Sequence, residues 1–303
     1  MASETVKFWI GTSGWSYPDW CGPVYPKPKP RGFKPLAFLA QHFNAVEVNS
    51  SFYAVPTPKT TASWLPQVPR DFRFAFKLTK AFTHESSPPE PAALDAFKAA
   101  LQPVRETGQL GPVLMQFPWS FRYADAARER LRLLSDALGD VPRVTEVRHT
   151  SWTTPEALEF LRGVGGYCNI DQPPLRSCIG PTTHVFGTTA YVRLHGRNSE
   201  KWFAENTAAY ERYNYLYSPE ELREWIVRLN TIGRMATEAY VFTNNHYWGR
   251  AAANAVELKA LLEDTKVRVP PQLLISYPHL RGYALPPPQS ELFTEVDEPE
   301  PLP

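Results

Sequence analysis

Ala190-Tyr191-Val192-Arg193-Leu194-His195-Gly196-Arg197 decides how this chain reads. Side chains alternate along a strand with period two. Val192 and Leu194 therefore share one face, and Tyr191, Arg193, His195 and Arg197 share the other. Two arginines and a histidine on one face of an apolar strand require partners, because an unpaired buried charge is costly. The stretch thus predicts a strand with an apolar outer face and a polar inner end that belongs to a site.

The same design recurs along the chain. Lys7–Thr12 predicts a first strand. Ala45–Asn49 predicts a second, with Val46 and Val48 opposite Glu47 and Asn49. Arg73–Thr79 sets Phe74, Phe76 and Leu78 opposite Lys77 and Thr79. Val113–Phe117 is nearly all apolar and carries Gln116. Val144–Arg148 places Glu146 and Arg148 on one face, and Tyr167–Asp171 ends on an acid. Ala239–Asn245 ends on Asn244 and Asn245. Between these strands lie helix signals. Thr57-Pro58 and Thr154-Pro155 pair an N-cap threonine with proline at the first helical position. Ser218-Pro219-Glu220-Glu221 is a capping box. Pro91–Glu106, Ala124–Leu138, Ser218–Ile232 and Ala251–Leu262 have helical character.

Eight strands that mostly alternate with helices predict an α/β fold with a parallel sheet. Eight such units in this length match one (β/α)8 TIM barrel over residues 6–284. No convincing helix falls between Gln172 and Thr189, so the sixth helix is weak or missing. An open doubly wound sheet is the alternative. Against it, no GxGxxG and no GxxxxGK[ST] follows any strand, so no nucleotide-cofactor motif is present. Residues 285–303 are rich in proline and acids without lysine or arginine, and predict a disordered tail.

Composition narrows the class of function. The 303 residues carry 32 basic and 31 acidic side chains. A protein held mainly by phosphate-backbone attraction is usually more basic, which disfavours a nucleic-acid partner. Three cysteines without CxxC spacing argue for a reducing compartment. No signal peptide and no long apolar run is found, so the expectation is a cytoplasmic protein without a membrane partner.

Several ordered motifs resemble the YecE-like family, domain of unknown function 72. They are Gly11-Thr12-Ser13-Gly14-Trp15-Ser16-Tyr17, Val46–Tyr53, Lys77 with Thr83-His84, and Gln116-Phe117-Pro118. Glu146–His149 with Ser151-Trp152, Tyr191–Arg197, Asn244-Asn245 and Asn254-Ala255 complete the set. The resemblance spans Phe8 to Leu262 and implies a TIM barrel; it transfers no reaction.

The C-terminal strand ends of a TIM barrel form its active face. Here they place Glu47, Asn49, Lys77, Gln116, Glu146, Arg148, Asp171, Arg193, His195, Arg197, Asn244 and Asn245 at the mouth. Trp15, Tyr17 and Tyr53 are candidate aromatic walls, and His84 and His149 follow strands three and five. The bland reading of these charges is an ion-pair network that fixes strand register. The functional reading is an enzyme acting on a small polar or anionic, phosphate- or sugar-bearing ligand. In that reading Glu47, Glu146, Asp171 and His195 are the acid–base residues, and the lysine and arginines hold the anion. One alternative is a divalent-metal hydrolase or isomerase using the same four residues as ligands. Against it, no HxH or HExxH occurs. Another is a nucleic-acid or nucleotide-binding module that stacks bases on Trp202, Phe203, Tyr210, Tyr213, Tyr215 and Tyr217. The Asn198–Tyr217 segment that carries these aromatics is long for a barrel loop and predicts a lid.

Overall fold

A computed structural model describes residues 6–85, 91–204 and 209–286. Eight parallel strands close a barrel in chain order. They are β1 (Lys7–Ser13), β2 (Ala45–Val48), β3 (Arg73–Lys77), β4 (Leu110–Gln116), β5 (Arg143–Glu146), β6 (Gly166–Asp171), β7 (Thr189–Leu194) and β8 (Glu238–Thr243). Among the described residues ten α-helices surround them. They are α1 (Pro35–Leu39), α2 (Pro58–Ala62), α3 (Lys80–Thr83), α4 (Pro91–Glu106), α5 (Asp125–Leu138), α6 (Pro155–Val164), α7 (Ser199–Trp202), α8 (Pro219–Gly233), α9 (Arg250–Glu263) and α10 (Pro271–Ser276). The proposed tail lies almost wholly outside the described residues.

The local signals act as their chemistry requires. Thr57, Thr154 and Ser218 each accept a backbone N–H of the first turn, and Glu221 completes the capping box. No helix forms between β6 and β7, where Pro173 and Pro174 interrupt the chain. β4 starts earlier than its apolar run, at Leu110, and includes Pro112. The register with β3 shifts between Phe74 and Phe76, and this irregularity accommodates a residue with no N–H to donate.

Outward residues of β7 and β8 meet α8 and α9 in one apolar cluster that includes Val192, Leu194, Val241, Trp225 and Leu229. The buried alanines of α9 bring that helix close to the barrel wall. A second cluster joins the outward Phe74 and Phe76 to Phe97 and Leu101.

The interior fills in layers from the bottom. Trp9 donates to Glu238 at 3.0 Å, stacks on Tyr240, and is covered by Arg73 at 4.4 Å. Tyr191, Tyr240 and Phe242 form the next, aromatic layer. The charged layer lies above it.

Candidate active site

The charged layer is built around Arg193, which β7 points inward and which is 1% exposed. Its guanidinium bridges two fully buried carboxylates from other strands. It reaches Glu146 at 2.6 Å and Glu47 at 2.8 Å. Glu47 also accepts from Ser13 at 2.6 Å and from Tyr191 at 2.7 Å. Arg148, just beyond β5, donates to the other oxygen of Glu146 at 2.8 Å. Two glutamates and two arginines thus neutralise one another. Burial alone would raise the Glu146 carboxyl, but Arg193, Arg148 and His195 outweigh it and hold it well below the usual range.

His195 lies within this network and is fully buried. Its Nδ1 is 2.9 Å from the Asn244 amide nitrogen and its Nε2 is 3.1 Å from Glu146. An Nε2–H tautomer satisfies both contacts: the ring donates to Glu146 and accepts from Asn244. Burial lowers its pKa; Glu146 opposes the fall, Arg148 and Arg193 add to it, and the value is about 3. The imidazole is therefore neutral near pH 7, and both its nitrogens are occupied.

Above the network lies a cavity of about 310 Å3. Its walls are Tyr17, Asn49, Tyr53, Lys77, Arg148, Arg193, Tyr210, Tyr213, Asn244 and His246. Its volume is at the small end of the roughly 300–1,000 Å3 usual for ligand pockets. Tyr17 donates to the Ser13 carbonyl and stacks on His246 at 4.4 Å. Lys77 has its Nζ 3.7 Å from the centre of the Phe52 ring. Burial and Arg193 lower its pKa, Glu146 opposes and Arg148 adds to the fall, giving about 7. The Arg193 Nε–H and the Asn49 Oδ1 have no partner among the described residues.

Several expected residues lie elsewhere. Asp171 does not face the mouth. It accepts from Trp225 of α8 at 2.8 Å and pairs with Arg197 at 3.0 Å. Arg197 continues to Glu221 at 3.0 Å. Both expected roles therefore give way to an ion-pair cluster that fastens β6 and β7 to α8. β7 ends at Leu194, and Gly196, at a φ of +90°, breaks the alternation that had aligned Arg197 with Arg193. A Cβ at Gly196 would stand 2.6 Å from that of Tyr215, so no other residue fits there without a shift.

β6 inverts the pattern. Cys168 faces inward, its Sγ 3.9 Å from Glu146, and neighbouring Asn169 faces outward. With no sixth helix, the outer face of β6 meets a loop with free backbone groups. Asn169 serves it through the His184 carbonyl and amide, both at 2.8 Å. Trp15 packs edge-on against Trp64 at 5.2 Å, away from the cavity. His149 caps the turn after β5 by accepting from Ser151, and Gln116 donates to the Phe117 carbonyl. His84 bonds Thr83 and meets the edge of Phe52 without lining the cavity. The four expected metal donors do not converge, since Asp171 is outside. Among the described residues no cluster of three histidine, cysteine, aspartate or glutamate side chains could hold a metal.

His246 was not among the expected residues. Its signal was its place two residues beyond Asn244, on the same parity. The described parts of the Asn198–Tyr217 segment cover the mouth: Tyr210 and Tyr213 line the cavity, and the Trp202 ring lies 6.2 Å from His195. Residues 205–208 lie outside the described part. Asn245 points away from the cavity and anchors this segment, donating to the Tyr215 carbonyl and to Asn254 of α9, both at 2.8 Å. Asn254 accepts from the Tyr217 amide and donates to Glu257 at 2.8 Å.

Burial pushes the Glu257 carboxyl up to about 7, against the lowering effect of Asn254. Its folded pKa lies above the ordinary value, so ionising it penalises the folded state as pH rises from about 4.5 to 7. Glu257→Gln keeps an acceptor for Asn254. It is expected to gain about 1–3 kcal/mol over the parent between pH 5 and 8, read from denaturant midpoints. An unchanged difference across that range would contradict the assignment.

Fold and site together define a (β/α)8 barrel with a closed charged layer below a small cationic cavity. A family model described as protein of unknown function DUF72 matches residues 9–274, and the chain belongs to that family. It is 30% identical over 272 residues to the UPF0759 protein YunF of Bacillus subtilis, covering 84% of this chain and 94% of YunF. A shorter match, 35% identity over 79 residues, joins it to the UPF0759 protein YecE of Escherichia coli and covers 26% of each chain. The crystal structure of a DUF72 family protein from Thermotoga maritima superposes with a TM-score of 0.75 at 34% identity, covering 85% of this chain and 99% of the other. No helix among the described residues is long and apolar enough to cross a membrane.

Proposed function

We propose that the cavity is the active site of an enzyme acting on a small anionic substrate that carries a phosphate or carboxylate. One observation carries this reading. Lys77, Arg148 and Arg193 line the cavity, whereas Glu47 and Glu146 lie behind the arginines and are bonded to them. Among the described residues the wall thus offers cationic donors and no free carboxylate. Charge-assisted bonds to an oxyanion are the strong ones, and a guanidinium can make two in parallel. The free N–H of Arg193 and the Asn49 amide are further groups a polar ligand would satisfy.

The roles expected of the acids and the histidine change accordingly. Glu146 is held anionic by its arginines and is a weak base. His195 is neutral with both nitrogens engaged, and it orients Glu146 and Asn244. These groups hold Arg148 and Arg193 in place rather than exchange protons with substrate.

Inorganic phosphate is the first probe. Ten times its Kd should stabilise the folded protein by about 1.4 kcal/mol, seen as a rise in Tm. Arg148→Ala should abolish that rise while leaving the fold intact, since Glu146 keeps Arg193 as its partner. Equal stabilisation of both proteins, or none with phosphate or sugar phosphates, would refute the reading.

A further inference from the structure

Lys77 differs from the other cations of the site. Arg193 and Arg148 have taken the buried carboxylates: Glu146 gives one oxygen to each, and Glu47 gives its two to Arg193 with Ser13 and to Tyr191. No acceptor among the described residues receives a hydrogen bond from the Lys77 amine. The side chain is 8% exposed, and Nζ sits over the Phe52 ring at the cavity wall. A lysine kept only for its charge would be paired or solvated. A desolvated lysine beside other cations is the arrangement that turns an ammonium into an amine nucleophile. The pKa of about 7 agrees with this geometry. The groups nearest it in charge are Arg193, Glu146, Arg148 and Glu47, and the first three are fixed to one another by ion pairs.

We propose that Lys77 forms an imine with a small aldehyde or ketone whose phosphate or carboxylate is held by Arg148 and Arg193. This rests on the anion-site reading above. In the first step the Nζ lone pair forms a bond to the carbonyl carbon. The C=O π pair moves to oxygen, which takes a proton. That oxygen then leaves as water, and the nitrogen retains one proton. In sum, carbonyl compound and lysine ammonium become a protonated imine and one water. The protonated imine draws electrons from a neighbouring C–H or C–C bond, so the class of reaction is proton transfer or carbon–carbon cleavage next to a carbonyl. Tyr53 and Tyr213 line the same cavity and carry hydroxyls able to shuttle the protons.

The test is reductive trapping. The protein is incubated with cyanoborohydride and either glycolaldehyde phosphate or pyruvate, and the modified residue is located by peptide mass spectrometry. The expected product is one adduct at Lys77, equal to the mass of the carbonyl compound less its oxygen. Its rate should level off above about pH 7 and exceed that of Lys80, an exposed lysine three residues on. Lys77→Met should remove the adduct, and Arg148→Ala should slow it at least tenfold. Excess inorganic phosphate should slow the wild type. A preference for one probe shows which anion the arginines take.

Stabilisation by phosphate without an adduct at Lys77 above the level at Lys80 would overturn the imine and leave the anion site standing. Trapping at Lys77 that ignores both phosphate and Arg148 would overturn the stated substrate class. Neither stabilisation nor trapping would overturn both.

Discussion

Replacing Arg193 by methionine is expected to destabilise the barrel by roughly 3–5 kcal/mol, the range for breaking a buried ion pair from one side. The side chain is of comparable length, so lost volume is a minor effect. The cost arises because Glu47 and Glu146, both fully buried, lose their common partner. Glu146 retains Arg148 and His195, whereas among the described residues Glu47 retains the hydroxyls of Ser13 and Tyr191 alone. The variant should therefore gain most from a second change at Glu47. Glu47→Gln in the Arg193→Met background should recover part of the loss, although Glu47→Gln alone destabilises. A double-mutant cycle in urea measures this directly. Strict additivity would show that the two side chains are not energetically coupled, and the account of the charged layer would fail.

Acid should destabilise the fold well above the pH at which ordinary carboxylates titrate. Burial holds His42 and His246 to about 4 and His195 to about 3, against 6.5 for an ordinary histidine. Below pH 6.5 the unfolded chain takes up these protons while the folded chain refuses them. The stabilisation is fully present above 6.5 and is lost as pH falls toward 4. Each histidine accounts for about 2 kcal/mol between pH 7 and pH 5. Glu257 acts in the opposite sense over that range, by a similar amount. The net expectation is a loss of about 4 kcal/mol, read from denaturant midpoints at the two pH values. His246→Gln should remove one histidine's share of the slope. A stability that is flat or rising toward pH 5 would contradict the buried neutral histidines.

The resemblance drawn from ordered motifs and the (β/α)8 pattern both correspond to what the fold and the family match show. The missing sixth helix does as well, because its prolines are a local matter. Strand parity correctly grouped Glu47 with Asn49, and Arg193 with His195. It could not say which group turned inward. In β6 the polar face turned outward, since a loop there leaves backbone groups that Asn169 can satisfy.

Residue order by itself therefore determined the eight strands, their caps and the charges at their ends, because periodicity, proline and capping chemistry act within a few residues. Tertiary structure alone decided the pairing. Arg193 joins carboxylates 146 and 47 positions away in the chain, and Arg197 leaves the mouth for Asp171 and Glu221. Among the described residues Lys77 is left without a carboxylate for the same reason. Coulomb and desolvation energies depend on distance in space and on what water can reach, and the order of residues specifies neither until the barrel closes.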